Sequence, residues 1–286
     1  MKIAIPSYKR VETLKNKTLK LLKEYSEFDD KEVYIFVANK EELEKYKKEI
    51  KEDYNFIVGK PGIKNIRNFM VDYFKEGEKV FYMDDDLEEV LICKYNKDLY
   101  FNYLKKNNLT NNRDNFKKLK DKGNYLEKID SIRDFINYGF NLCEKRGLSI
   151  FGIYFPCNSF FMTPKGLRGD ISFGLNYILA GFYGVINNKK IDKATIDDKE
   201  DIERSIHFFL KDKGVIRFNY ITMKTDCYKG KGGMQEERTK ERIFKSAYYL
   251  SKKYPDLCKL NLNKKSGFAE VRFKRNRKRI GRRGTI

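Results

Sequence analysis

Residues 79–87 read KVFYMDDDL, an apolar run that ends on three consecutive carboxylates, Asp84, Asp85 and Asp86. Carboxylates held this close repel one another and their pKa values rise; a divalent cation reverses the effect and prefers hard oxygen ligands. In an extended segment Asp84 and Asp86 point to the same side, so the two can share one ion. The competing reading is an Asx turn or a helix N-cap carrying solvated acids. A position at the carboxyl end of a strand in an α/β chain favours the ion.

Upstream of the triad, strand and helix patterns alternate. Lys2 to Ser7 is a short apolar run ended by Pro6-Ser7, and Leu14, Thr18, Leu21, Leu22 and Tyr25 then recur at helical spacing. Val33 to Ala38 reads as a second strand, followed by a helix bearing Leu43, Tyr46 and Ile50. Phe56 to Val58 is a third strand, and Pro61-Gly62 turns into a helix with Ile63, Ile66, Met70 and Tyr73 on one face, closed by Gly77. The run ending at Met83 is the fourth strand. Short connections between alternating elements predict a parallel sheet with right-handed crossovers, whose ligands gather at the carboxyl ends of the strands.

Downstream, Lys94 to Asp130 is polar and rich in Asn and Lys without a clear period, and reads as a partly helical insertion or a long flexible excursion. A helix follows from Ser131 to Arg146. Leu148 to Phe161 and Tyr177 to Asn187 read as buried strands, Asp197 and Asp198 as caps of a helix running to Lys213, and Val215 to Ile221 as another strand. A glycine-rich loop at 230–233, a helix from about Gln235 to Lys253, a last strand near Phe268 to Phe273 and a basic tail complete the chain.

The chain has 286 residues, 41% hydrophobic and 15% aromatic, too apolar for a disordered polymer and long enough for one core with insertions or for two units. Lys and Arg number 61 against 41 Asp and Glu, a formal charge of +20 that directs attention to nucleic acid, nucleotides or an anionic membrane surface. Part of the Lys surplus matches what an AT-biased coding sequence produces. The N-terminus lacks a signal-peptide pattern and no stretch approaches ~20 uninterrupted apolar residues, so a soluble, cytoplasmic, non-secreted protein is expected, with no membrane partner. Cys93, Cys143, Cys157, Cys227 and Cys258 form no CxxC pair, which argues for reduced, mostly buried thiols and against a zinc site.

Five motifs in order carry a family resemblance: IPSYKR (5–10), GIKNIRN (62–68), MDDDL (83–87), GFYGVIN (181–187) with the stretch 197–219, and KGKGGM (229–234). Together they resemble glycosyltransferases of the GT-A type. Their order is similar to the TET-associated glycosyltransferases of phages and eukaryotic relatives, which are similar to the base J glucosyltransferase and act on hydroxylated bases in DNA. The resemblance spans roughly residues 2 to 250. It implies Pro6, Ser7 and Arg10 at the nucleotide of the sugar donor, Arg67 and Asn68 near the donor, and Asp84, Asp85 and Asp86 at its diphosphate, with Asp84 and Asp86 holding Mn²⁺ or Mg²⁺. An Arg at position 67 can pair with a triad carboxylate or with phosphate, and equally suits a structural ion pair.

Glu200 and Asp201 resemble the ED motif of these enzymes, where the Asp removes the acceptor's proton in an inverting reaction. Asp201 is the first choice as base, with Asp198 and Glu200 as fallbacks. Acids also belong in the first turn of any helix on dipole grounds. His207 is the only histidine, which excludes mechanisms needing two, and its place two turns into a helix suits a packed residue better than a metal ligand. In the glycine-rich loop, Lys231, Gly232 and Gly233 can approach phosphate, or form a plain surface turn. Arg272, Lys274, Arg275, Arg277, Lys278, Arg279, Arg282 and Arg283 put eight cations in twelve residues without an acid. Six of the chain's 16 Arg lie there, and Arg pairs bidentately with phosphate where AT-driven drift would supply Lys, so these residues are expected to contact DNA.

The expected architecture is α/β, a GT-A-like (Rossmann-like) mostly parallel sheet flanked by helices over 1–260, with a polar insertion at about 94–130 and a last strand and Arg-rich tail over 261–286. The expected activity is metal-dependent transfer of a sugar from a nucleotide-diphosphate donor, UDP-linked, to a hydroxymethyl base in the DNA of a phage- or virus-like system. The competing readings are the same chemistry on a glycan or protein acceptor, and a non-catalytic nucleic-acid-binding protein on a degenerate version of the fold.

Overall fold

The computed structural model of the chain describes residues 1–94, 97–120, 125–163, 170–225, 239–264 and 267–274. The alternation read upstream of the triad is present. β1 (Lys2–Pro6) leads into α1 (Val11–Leu14), which runs through a π turn at Lys15–Leu19 into α2 (Lys20–Tyr25). β2 (Val33–Val37), α3 (Lys40–Glu49), β3 (Asn55–Val58), α4 (Ile63–Tyr73) and β4 (Lys79–Met83) follow. The four strands pair in the order β3-β2-β1-β4, all parallel.

Burial on both faces explains why these strands are continuous apolar runs rather than alternating ones. Ile3, Ile5, Phe81 and Met83 enter one core cluster, while Ala4, Val80 and Tyr82 enter the cluster on the other face.

Beyond the triad the chain makes a strand that the sequence reading did not assign, β5 (Leu87–Cys93). Of the two readings of the segment after it, the partly helical insertion is found, with α5 (Lys97–Lys106), α6 (Arg113–Lys120) and a short strand, β6 (Leu126–Lys128). Its anchors are Tyr100, Leu104, Phe116 and Tyr125, all buried in the main cluster. α7 (Ile132–Arg146) is capped by the Ser131 hydroxyl and ends on Gly147.

β7 (Ile150–Ile153) and β9 (Phe182–Ile186) are shorter than the runs that contain them, and the short β8 (Ile171–Ser172) lies between those runs. α8 (Glu200–Asp212) is followed by β10 (Ile216–Phe218) and β11 (Ile221–Thr225), two strands where the sequence suggested one. They serve different sheets, β10 beside β7 and β11 beside β5. α9 (Lys240–Lys253) precedes an antiparallel hairpin of β12 (Cys258–Asn261) and β13 (Glu270–Phe273). The boundary drawn at 260/261 therefore falls inside β12.

The main sheet continues past β4 in the order β9-β7-β10-β8. β9 lies antiparallel between β4 and β7, and β10 is parallel to β7, so the sheet is mixed and mostly parallel, with helices flanking it. β11, β5 and β6 form a second, antiparallel sheet. β4 and β5 thus belong to different sheets, and the triad is the turn that joins them.

The fully buried ring of Phe151 in β7 lies over two glycines. A Cβ on Gly184 of β9 would meet it at 2.1 Å, and one on Gly139 of α7 at 2.3 Å. Gly184→Ala is expected to destabilise the protein by about 1–3 kcal/mol through overpacking, read as a lower urea midpoint at unchanged slope.

Among the described residues no helix is long and apolar enough to cross a membrane. Cys93, Cys143 and Cys258 are buried and Cys157 is exposed, while Cys227 lies outside the described residues.

Candidate active site

The triad does not sit in an extended segment. Asp84, Asp85 and Asp86 form the tight connection between β4 and β5, so the alternation argument for Asp84 and Asp86 sharing a side does not apply. Two backbone ties fix the turn: Asp84 N–H donates to Gly181 O at 3.0 Å, and Thr18 Oγ1 donates to Asp84 O at 2.7 Å while accepting from Leu87 N–H at 3.0 Å. Thr18 is fully buried and reaches the turn from the π segment, an irregularity often found beside functional sites.

Each carboxylate has a different environment. Asp85 is buried and held from inside: Ser7 Oγ donates to Oδ2 at 2.7 Å and Arg10 Nη1 to Oδ1 at 3.1 Å. Ser7 also bonds Tyr46 Oη at 2.8 Å, and that hydroxyl accepts from Arg10 N–H at 3.1 Å, so the loop after β1 is knitted to α3. Burial still pushes Asp85 up to about 6. Asp86 is pushed up to about 7 by burial and by the charges of Asp84 and Asp85, with Arg10 Nη1 at 3.8 Å. Asp84, the most open of the three with a side chain 37% exposed, accepts from Arg67 Nη2 at 2.7 Å.

Arg67 itself is buried, and its Nε and Nη1 have no hydrogen-bond partner among the described residues. Asn68, next to it, does not line the cavity described below. Its amide accepts from Ala194 N–H at 2.8 Å and donates to Ala194 O at 3.0 Å, clamping the segment before α8. Asn187, at the end of GFYGVIN, likewise serves the fold, donating to the carbonyls of Val71, Phe74 and Lys75 at the end of α4.

A cavity of about 860 Å³ opens at the carboxyl ends of β1, β2 and β4. Pro6, Ser7, Arg10, Arg67 and all three triad residues line it, and so do Asp198, Glu200 and Asp201 from the start of α8. The two acidic groups, more than a hundred residues apart in the chain, therefore share one chamber. The expected capping role of Asp197 and Asp198 is not what is found. The N-cap of α8 is Lys199, in the left-handed region at φ 65°, without a side-chain cap. Asp198 is buried and accepts from Arg242 Nε of α9 at 2.6 Å.

Asp201 accepts from the Tyr177 hydroxyl through Oδ2 and from Ile202 N–H through Oδ1 at 2.8 Å. Ser205 holds the segment bearing Tyr177 against α8, accepting from Ile178 N–H at 3.0 Å and donating to Asp201 O at 2.8 Å. Glu200 is buried; desolvation and the neighbouring Asp201 charge raise it to about 7, opposed by Arg67 and Arg204.

Beneath this wall Arg204 pairs with buried Asp192 at 3.0 Å, and its guanidinium lies 4.3 Å from the centroid of Tyr183, whose ring stacks on Tyr82 at 4.8 Å. Tyr46, Thr18, Tyr177, Arg204 and Arg242 had not been assigned to the site from sequence. Tyr46 carried only a signal for helix packing, and no local pattern marked the others as partners of distant acids. His207 is occupied elsewhere, Nδ1 with Ile191 O at 3.1 Å and Nε2 with Tyr254 Oη at 2.8 Å, as a packed residue should be. Lys231, Gly232 and Gly233, and in the tail Arg275, Arg277, Lys278, Arg279, Arg282 and Arg283, lie outside the described residues; Arg272 and Lys274 are exposed on and after β13.

The donor set suits a hard divalent cation. Among the described residues no group of three or more His, Cys, Asp or Glu could hold a metal by itself. Asp84 and Asp86 offer two carboxylates beside a chamber large enough for a diphosphate, which is how Mg²⁺ and similar ions are held jointly with substrate oxygens and water. The Asp86 pKa is raised first by burial and then by the charges of Asp84 and Asp85, which Arg10 and Lys17 only partly offset.

No protein-family model matches the chain, and no curated protein matches it. Among solved structures it is similar to residues 1–349 of S. aureus TarS in complex with UDP-GlcNAc, at 13% identity and a TM-score of 0.44 over 88% of this chain and 67% of that one. It is also similar to glucosyl-3-phosphoglycerate synthase from Mycobacterium tuberculosis in complex with Mn²⁺, UDP and glucosyl-3-phosphoglycerate, at 10% identity and a TM-score of 0.43 over 96% and 86% of the two chains. Likenesses this distant carry no functional argument, and the chemistry is read from the site's own residues.

Proposed function

We propose that the cavity binds a nucleotide-diphosphate sugar, UDP-linked, and transfers the sugar to a hydroxyl group on a modified base in DNA. The observation that carries the reading is the meeting of Asp84 and Asp86 with Glu200 and Asp201 in one chamber. The motif resemblance supports the donor class, and the Arg-rich tail supports the acceptor. Asp84 and Asp86 would hold Mn²⁺ or Mg²⁺, which supplies neutralisation of the leaving diphosphate.

Asp201, oriented by Tyr177, takes the proton of the acceptor hydroxyl. The hydroxyl oxygen bonds to the anomeric carbon, and the bond from that carbon to the diphosphate breaks with its electron pair leaving on the diphosphate. Glu200 sits beside Asp201, and burial first and then the Asp201 charge raise its pKa to about 7. Arg10 and Arg67 fix the triad and face the donor. The base must be presented from a single strand or flipped out of a duplex to reach such a chamber.

The test is incubation with a panel of UDP-sugars, Mn²⁺ and DNA containing 5-hydroxymethyl bases, followed by nucleoside mass spectrometry. A hexose or pentose mass added to the modified nucleoside is expected. Release of UDP with no mass on any DNA would keep the donor chemistry and remove the acceptor assignment.

A further inference from the structure

The far wall of the cavity is built by the C-terminal hairpin. Phe268, Glu270, Val271 and Phe273 line it, with Lys264 from the β12–β13 connection. The hairpin is firmly seated: Val271 and Phe273 pack against a cluster containing Ile202 and Ile206 of α8 and Leu250 of α9, and Lys274 N–H donates to Leu257 O at 2.7 Å. Glu270 is paired on both sides, with Lys264 Nζ at 2.5 Å and with Lys199 Nζ at 3.5 Å. Lys199 is the left-handed residue directly before Glu200 and Asp201, so the hairpin grips the start of the helix that carries the acceptor-side carboxylates.

The two ends of the cavity differ in chemistry. The end at β1 and β4 is charged, with Arg10, Arg67 and the triad. The hairpin adds the rings of Phe268 and Phe273 and the aliphatic Val271 beside its paired Lys264 and Glu270, and Phe155 and Tyr177 line the same chamber. A flat unsaturated ring gains from stacking on such a wall. On β13 Arg272 is exposed between the cavity residues Val271 and Phe273, and Lys274 follows at the head of the cationic run. By strand alternation these cations stand on the face opposite Val271 and Phe273, so the hairpin turns rings to the chamber and cations to its outer side.

We propose that the β12–β13 hairpin is the acceptor-discriminating wall, recognising the planar ring of an unpaired base against Phe268 and Phe273 while Arg272 and Lys274 meet the adjoining phosphates. This rests on the DNA-acceptor reading above and assigns its specificity to particular residues. The experiment uses the full chain with UDP and Mn²⁺ and compares, by fluorescence anisotropy, a short single strand carrying one 5-hydroxymethylpyrimidine with the same strand abasic at that position. The wild type is expected to favour the base by about tenfold or more, the size of one stacking contact. Phe268→Ala and Phe268→Leu, the latter keeping apolar volume, should each bring the ratio towards one while leaving affinity for the abasic strand in place, and Phe268→Tyr should restore it. A wild-type ratio near one, or a ratio untouched by either ring-removing change, overturns the proposal while leaving DNA as the partner. Failure of both strands to bind removes the DNA-acceptor reading, and the hairpin assignment with it.

Discussion

Asp86→Ala is expected to lower metal-dependent turnover of the nucleotide sugar by about three orders of magnitude, while raising the thermal midpoint of the metal-free protein by a few degrees. The opposite signs have one cause. The Asp86 side chain is 14% exposed and sits beside two further carboxylates, with Arg10 at 3.8 Å. Without a cation, burial and repulsion make its charge costly, which is why its pKa rises to about 7. Removing the carboxylate relieves that cost and deletes one of the two ligands proposed for the cation. Mn²⁺ should accordingly raise the midpoint of the wild type and leave that of Asp86→Ala unmoved in differential scanning fluorimetry. Undiminished turnover in the variant would dismiss the triad as a metal site.

The acceptor side gives the second large effect. Asp201→Asn should reduce transfer by about 10²–10⁴-fold, the usual worth of a positioned general base, with little change in donor KM. Glu200→Gln acts through pH. In the wild type, Glu200 is raised from 4.5 to about 7, first by burial and then by the Asp201 charge, so transfer should climb as pH rises through neutrality and level off above it. Glu200→Gln removes the group that is raised to about 7, and the climb through neutrality should flatten.

Stability runs the other way. A folded-state pKa above the unfolded value means that the fold favours the protonated form. The stabilisation is complete below about 4.5 and is lost as pH rises through about 7. The wild type should lose urea resistance between those values by an amount that Glu200→Gln abolishes. Parallel pH dependences in the two proteins would show that Glu200 ionises normally.

Much of the first half of the fold was legible because its signals are local. Pro6-Ser7, Pro61-Gly62 and the apolar runs between them mark strands and helices that pair in sequence order. The triad was legible as chemistry, although its geometry was not: whether Asp84-Asp85-Asp86 is extended or a turn depends on β5, and LEEVLIC mixes two acids into a strand whose partners lie at 126–128 and 221–225. Val215 to Ile221 looked like one strand because periodicity cannot report that Asn219-Tyr220 hands the chain from one sheet to the other. Asp197 and Asp198 looked like caps, and Asp201 in the first turn of α8 also suited the helix dipole, whereas Asp198 is claimed by Arg242 and Asp201 by Tyr177. Such pairings join residues with no periodic relation and exist only once the chain is folded. The hairpin was half seen: its second strand was read, and the first, which gives it a partner, was not.

That hairpin also sets an order of events during synthesis. When the ribosome has completed β11, every strand of the central sheet exists, and so do the triad, Glu200 and Asp201. The wall formed by Phe268, Val271 and Phe273 does not. A nascent chain at that stage holds its reactive carboxylates open to water on one side, and water is itself a hydroxyl acceptor. Under the proposed function, β13 is therefore the strand that separates transfer to an acceptor from hydrolysis of the donor.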